Sequence, residues 1–130
     1  MPVQSVLLPV GEDLYAVPAH LVREVVAVPR PTRLPTTPPT LLGVINLRGE
    51  VVPLFNTAAL LGLPPTNPEP SPYAIVLHTA RGPAALVVDD LPRIAALTDR
   101  IGPSELPGTD GRFAVDGGIA VLLHFERLIA

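Results

Sequence analysis

Eighteen prolines among 130 residues limit the length of every regular element this chain can make. Proline lacks the backbone N–H that a helix turn or a strand ladder needs, so neither runs easily through it. Together with the glycines, the prolines cut the chain about every ten residues into short runs rich in Val, Leu, Ile and Ala, the rhythm of a sandwich or barrel rather than of βαβ units. An all-β fold is expected. Ten strands are expected, at 3–9, 14–17, 24–28, 43–47, 51–55, 73–79, 84–89, 93–97, 112–116 and 119–123. Prolines inside these runs belong at sheet edges, bulges or strand ends.

Three one-turn helices fit between the strands. Pro18 suits the first turn of one over 18–22, where its missing N–H does no harm. Asn56 caps a second over 57–61, which Gly62 and Pro64 stop. In the third, Phe125, Leu128 and Ile129 have the spacing of a docking stripe. The run Val52-Pro53-Leu54-Phe55-Asn56 before the second helix is echoed by Val121-Leu122-Leu123-His124 before the third, as two similar lobes would require. Five prolines in residues 64–72 read as a semi-rigid connector, and the proline-rich stretch 29–39 as an extended crossover.

At this length the chain is expected to be a single domain over 1–130, two-lobed, with its connector near 63–72 and no need of disulfides or metals. No apolar run approaches the roughly 20 residues that span a bilayer, so no membrane insertion is expected. With no secretory signal pattern and no cysteine, the expected compartment is the cytoplasm. There is no lysine, which removes P-loop, Schiff-base and lysine-base chemistry together. The nine arginines are scattered singly and the pI is about 5.5, so no nucleic-acid partner is expected. A hydrophobic fraction of 48% leaves too little polar surface to cover a small domain. Exposed apolar patches follow, and large ones mark partner sites.

Reactive constellations are scarce. His20, His78 and His124 lack the spacing of metal ligands, so neither a metal nor a cofactor is expected. The paired carboxylates Asp89 and Asp90 end an apolar run and fit a turn better than acid–base work. A small hydrolase would have to bring these two aspartates and a remote histidine into one pocket.

The most distinctive segment is 41–55, two apolar strands around a polar tip of Arg48, Gly49 and Glu50. Glycine supplies the positive φ of a tight hairpin, and the charged neighbours project from it. Arg48 has two readings: it solubilises the tip, or it offers a fork of donors to a partner's carboxylate or carbonyls.

The run from Leu42 to Pro53, with Asn46-Leu47-Arg48-Gly49 at its centre, resembles the signature of CheW-like domains, the adaptor fold of bacterial chemosensory arrays. Leu14 to Pro18 and Val22 to Val26 resemble the family's opening, and Ala85 to Asp89 its second-half strand, so the likeness runs from about Val3 to Ile129. It implies two SH3-like five-stranded barrels packed on a shared core. It also implies a non-catalytic adaptor that couples the cytoplasmic tip of methyl-accepting chemoreceptors to the regulatory domain of the histidine kinase CheA. Carried over, Arg48 matches the motif arginine and Glu24 the acidic residue that pairs with it. Gly49 and Glu50 complete the tip, while Val22, Val25 and Val44 are expected to line an apolar groove for a receptor helix, the second lobe meeting the kinase. The same fold also occurs as one domain of larger signalling kinases and hybrid coupling proteins. Asn56 and His124 stand where the family often has aspartate; histidine caps less well, which predicts a different entry to the last helix.

Overall fold

The computed structural model describes residues 3–28, 38–63 and 73–129. Among the described residues eleven strands form two sheets. In chain order they are β1 (Val3–Val10), β2 (Asp13–Pro18), β3 (Val22–Ala27), β4 (Leu41–Leu47), β5 (Glu50–Phe55), β6 (Tyr73–Thr79), β7 (Gly82–Val88), β8 (Arg93–Leu97), β9 (Arg100–Gly102), β10 (Thr109–Val115) and β11 (Gly118–Leu123). One-turn helices α1 (Thr57–Leu60) and α2 (Phe125–Leu128) follow β5 and β11, and a 3-10 turn at Ala19–Leu21 joins β2 to β3. The all-β expectation holds. The extra strand is β9, whose three residues are too few to show an alternating pattern.

The six-stranded sheet runs β8-β1-β2-β11-β10-β9 and the five-stranded sheet β3-β6-β7-β5-β4. Each half of the chain lends a hairpin to the other's sheet. Residues before 63 supply β1–β2 to the larger sheet and β3–β5 to the smaller, while residues after 73 supply β6–β7 to the smaller and β8–β11 to the larger. Parallel pairings, β11 on β2 and β5 on β7, stitch the exchanged pieces together. The echo between the two pre-helix runs thus corresponds to equivalent places in two sheets. Strands β5 and β6, which flank the proline-rich stretch 64–72, lie in the same sheet; that stretch and 29–37 fall outside the described residues.

Three apolar clusters make three layers. Leu7, Ala16, Leu97, Val115 and Ala120 fill the inside of the larger sheet, and Ile45, Leu47, Val52, Leu54, Ala74, Val76 and Ala85 that of the smaller. Between the sheets lie Val6, Leu8, Tyr15 and Val17 against Ile75, Leu77, Leu86 and Val88. Strands β1, β2, β6 and β7 are therefore buried on both faces, which is why their sequences read as continuous apolar runs. At the seam the Asp89 N–H donates to the Pro9 carbonyl at 2.8 Å and its carboxylate accepts from the Gly11 N–H at 2.6 Å.

Proline placement follows the missing donor. Pro53 sits in β5, an interior strand, but the ladder to β7 begins only at Leu54, so at Pro53 the strand has β4 alone beside it. The expected helix over 18–22 is a single 3-10 turn with Pro18 preceding it. The Asn56 side chain accepts the Ala59 N–H at 3.3 Å, as expected of a cap. The expectation of a different entry to the last helix is overturned: His124 Nδ1 accepts the Arg127 N–H at 3.3 Å, three residues on, as Asn56 does. An unprotonated imidazole nitrogen is an acceptor at about the reach of an amide oxygen. The Phe55 and Phe125 rings meet edge to face at 5.9 Å, tying the end of β5 to the start of α2.

Candidate partner-binding site

The tip between β4 and β5 is a two-residue turn, with Leu47 paired to Glu50 across it. Arg48 has φ 51° and Gly49 φ 86°, both in the left-handed region. Such turns suit the right-handed twist of the flanking strands. Glycine adopts this conformation freely, whereas for arginine it is unfavourable. Asn46 compensates: its side-chain oxygen accepts the Gly49 N–H at 2.9 Å. Leu47 and Ile45 anchor the base of the turn inside the small sheet, while the Arg48 side chain remains 67% exposed.

Strand β3 is one edge of the small sheet and the β4–β5 hairpin stands at the other, yet charges on β3 meet charges at the hairpin tip. Arg48 donates through Nη2 to Glu24 Oε2. The same oxygen lies 3.2 Å from Arg23 Nε, and Arg23 Nη1 reaches Glu50 Oε1 at 2.6 Å. The result is an alternating chain, Glu50–Arg23–Glu24–Arg48, that ties β3 to the tip of the β4–β5 hairpin. Neighbours on a regular strand point to opposite faces. Here a register shift between Val22 and Glu24 lets Arg23 and Glu24 both reach the hairpin. The hydrogen bond from Arg48 holds the Glu24 carboxyl below its ordinary range, and the same bond raises the Arg48 guanidinium.

Glu24, Arg48, Gly49 and Glu50, singled out from sequence, thus come together in one place. Val25 is 44% exposed on the outer face of β3, where its cross-strand partner is Ile75. Val22 shares that face but packs against the inter-sheet cluster. Val44 lies on the outside of β4, opposite Pro53, and is half-buried. Val51, 64% exposed on the neighbouring β5, adds an apolar residue to this surface that the sequence reading missed, as it missed Arg23 and Asn46.

The histidines also converge. His20, His78 and His124, far apart in the chain, all line one cleft of about 250 Å³ at the seam of the two sheets, with Leu21, Leu77 and Phe125. Val22, Val25 and Val44 are not among its lining residues. Among the described residues no group of three or more His, Asp or Glu side chains is placed to hold a metal ion. Asp89 and Asp90 are each engaged in turns, Asp89 with the Gly11 N–H and Asp90 with the Leu91 N–H at 2.7 Å. No helix among the described residues is long and apolar enough to cross a membrane.

Comparison with known proteins follows the same lines. The family model described as CheW-like domain matches residues 4–130. A probable chemotaxis protein CheW of Rhizobium etli is 33% identical over 129 residues, covering 93% of this chain and 83% of that protein. The chemotaxis protein CheW of Rhizobium meliloti is 30% identical over 127 residues, covering 92% and 82%. The crystal structure of the scaffolding protein TtCheW from Thermoanaerobacter tengcongensis superposes with a TM-score of 0.83 at 24% identity, over 95% of this chain and 89% of that one, and so shares the fold.

Proposed function

The chain belongs to the CheW-like domain family, a family of chemotaxis scaffolds, and on that premise we propose that it is an adaptor coupling the cytoplasmic tip of methyl-accepting chemoreceptors to the regulatory domain of a CheA-type histidine kinase. It does so by presenting surfaces, without a catalytic step, a cofactor or insertion into the membrane. The observation that carries this reading is Arg48: an exposed guanidinium held at a hairpin apex by a carboxylate from the opposite edge of the sheet. Among the described residues Arg48 is engaged with Glu24 through Nη2, and the rest of its fork of donors is what we propose a partner takes. Val25 and Val51 supply exposed apolar area on the same small sheet, and an apolar contact ringed by charge is the usual anatomy of a protein interface.

Arg48→Glu reverses the charge at the apex without touching the core, so the melting curve stays near that of the wild type while capture of receptor tip or kinase domain is lost. A folded Arg48→Glu protein that still captures both removes Arg48 from the interface. The Glu24–Arg48 pair is tested separately by a double-mutant cycle on partner binding, for which coupling is expected; strictly additive effects would show that the pair plays no part.

A further inference from the structure

Arg48 occupies a conformation that arginine disfavours, and among the described residues the side chain bonded to the turn backbone is that of Asn46, whose oxygen takes the Gly49 N–H at 2.9 Å. Asn46 itself is exposed on the outside of β4, opposite Val51, and belongs to no apolar cluster. Its amide therefore serves the turn and not the core. From this we infer that Asn46 is a positioning residue for partner docking: it holds the Arg48–Gly49 turn closed so that the guanidinium is already aimed when the partner arrives.

The inference rests on the docking role proposed for Arg48. Without the Asn46 acceptor, the strained turn competes with opened tips in which Arg48 returns to ordinary backbone angles and its side chain leaves Glu24. Binding must then order the tip as well as make the contact, and affinity falls by the fraction of molecules already closed. Ile45 and Leu47 remain inside the small sheet, so strand register and fold are kept.

The experiment measures capture of the chemoreceptor tip alongside hydrogen exchange at the Gly49 amide, for wild type, Asn46→Ala, Asn46→Asp and Arg48→Glu. Asn46→Ala is expected to expose the Gly49 amide and to weaken capture about fivefold, the ratio matching one net hydrogen bond. Asn46→Asp keeps the acceptor oxygen and is expected to restore both. Capture at wild-type strength by an Asn46→Ala protein whose Gly49 amide exchanges freely overturns the inference, as does restored protection without restored capture. The Arg48→Glu arm separates the two failures: if it binds like the wild type, the docking reading itself has failed, whereas loss there with full binding by Asn46→Ala defeats the positioning role alone.

Discussion

Alanine at Gly108 and alanine at Gly49 carry the same backbone penalty and differ in their surroundings, which makes them a test of how α2 is held. Gly108 has φ 71° and Gly49 φ 86°, so a side chain at either costs about 1–2 kcal/mol in left-handed strain. At Gly49 nothing lies within 4 Å of the added methyl. At Gly108 the methyl would stand 2.6 Å from Leu128 Cδ1 and 2.8 Å from the Leu128 Cα, a backbone atom that moves only if α2 moves. That overpacking adds about 1–3 kcal/mol, for a total near 2–5 kcal/mol. At about 3–4 °C per kcal/mol for a chain of this size, Gly49→Ala lowers the melting temperature by about 5 °C and Gly108→Ala by about 10 °C or more. Thermal unfolding followed by circular dichroism reads both. Equal shifts for the two variants would refute the close seating of α2 on the turn before β10.

Phe125→Ala removes a ring from the inter-sheet cluster and its contact with Phe55, and should cost about 3–5 kcal/mol in urea unfolding; a loss below about 1 kcal/mol would mean the layer between the sheets is not packed as described. His124→Ala deletes a cap and should cost about 0.5–2 kcal/mol, with His124→Asn close to neutral, so equal losses in the two would deny the capping role. Because Arg48 holds the folded Glu24 carboxyl below its ordinary value, the pair stabilises the fold above that ordinary value, and the contribution is lost as pH falls through the lowered one. The stability difference between wild type and Glu24→Gln should accordingly shrink below about pH 4, and a difference that grows on acidification would contradict the pairing.

Strands were legible where burial leaves a pattern. Ala74 to Leu77 and Ala84 to Leu86 are buried residue after residue on both faces, and these unbroken apolar runs mark interior strands. Which sheet each hairpin joins was not legible, because apolar alternation reports burial and not the identity of the neighbour across the layer. The site shows the same limit. Arg48, Gly49 and Glu50 stand out as a polar tip between apolar runs, and family likeness supplied Glu24. Arg23 does not stand out in the sequence, because it reaches Glu50 through a register shift in β3 that has no compositional signature. The role of Asn46 depends on the positive φ of Arg48 and on the Gly49 N–H its side chain accepts, backbone features that residue type alone does not announce. The cleft shared by the three histidines has no trace in their spacing, since it is assembled by the exchange of hairpins between halves.

An adaptor must hold two proteins at once, and size-exclusion chromatography of a three-component mixture measures that directly. Wild-type protein mixed with purified receptor tip and kinase regulatory domain is expected to elute with both in one complex, and Arg48→Glu, equally well folded, is not. Wild-type protein that binds the two only in competition, or neither of them, would contradict the coupling role.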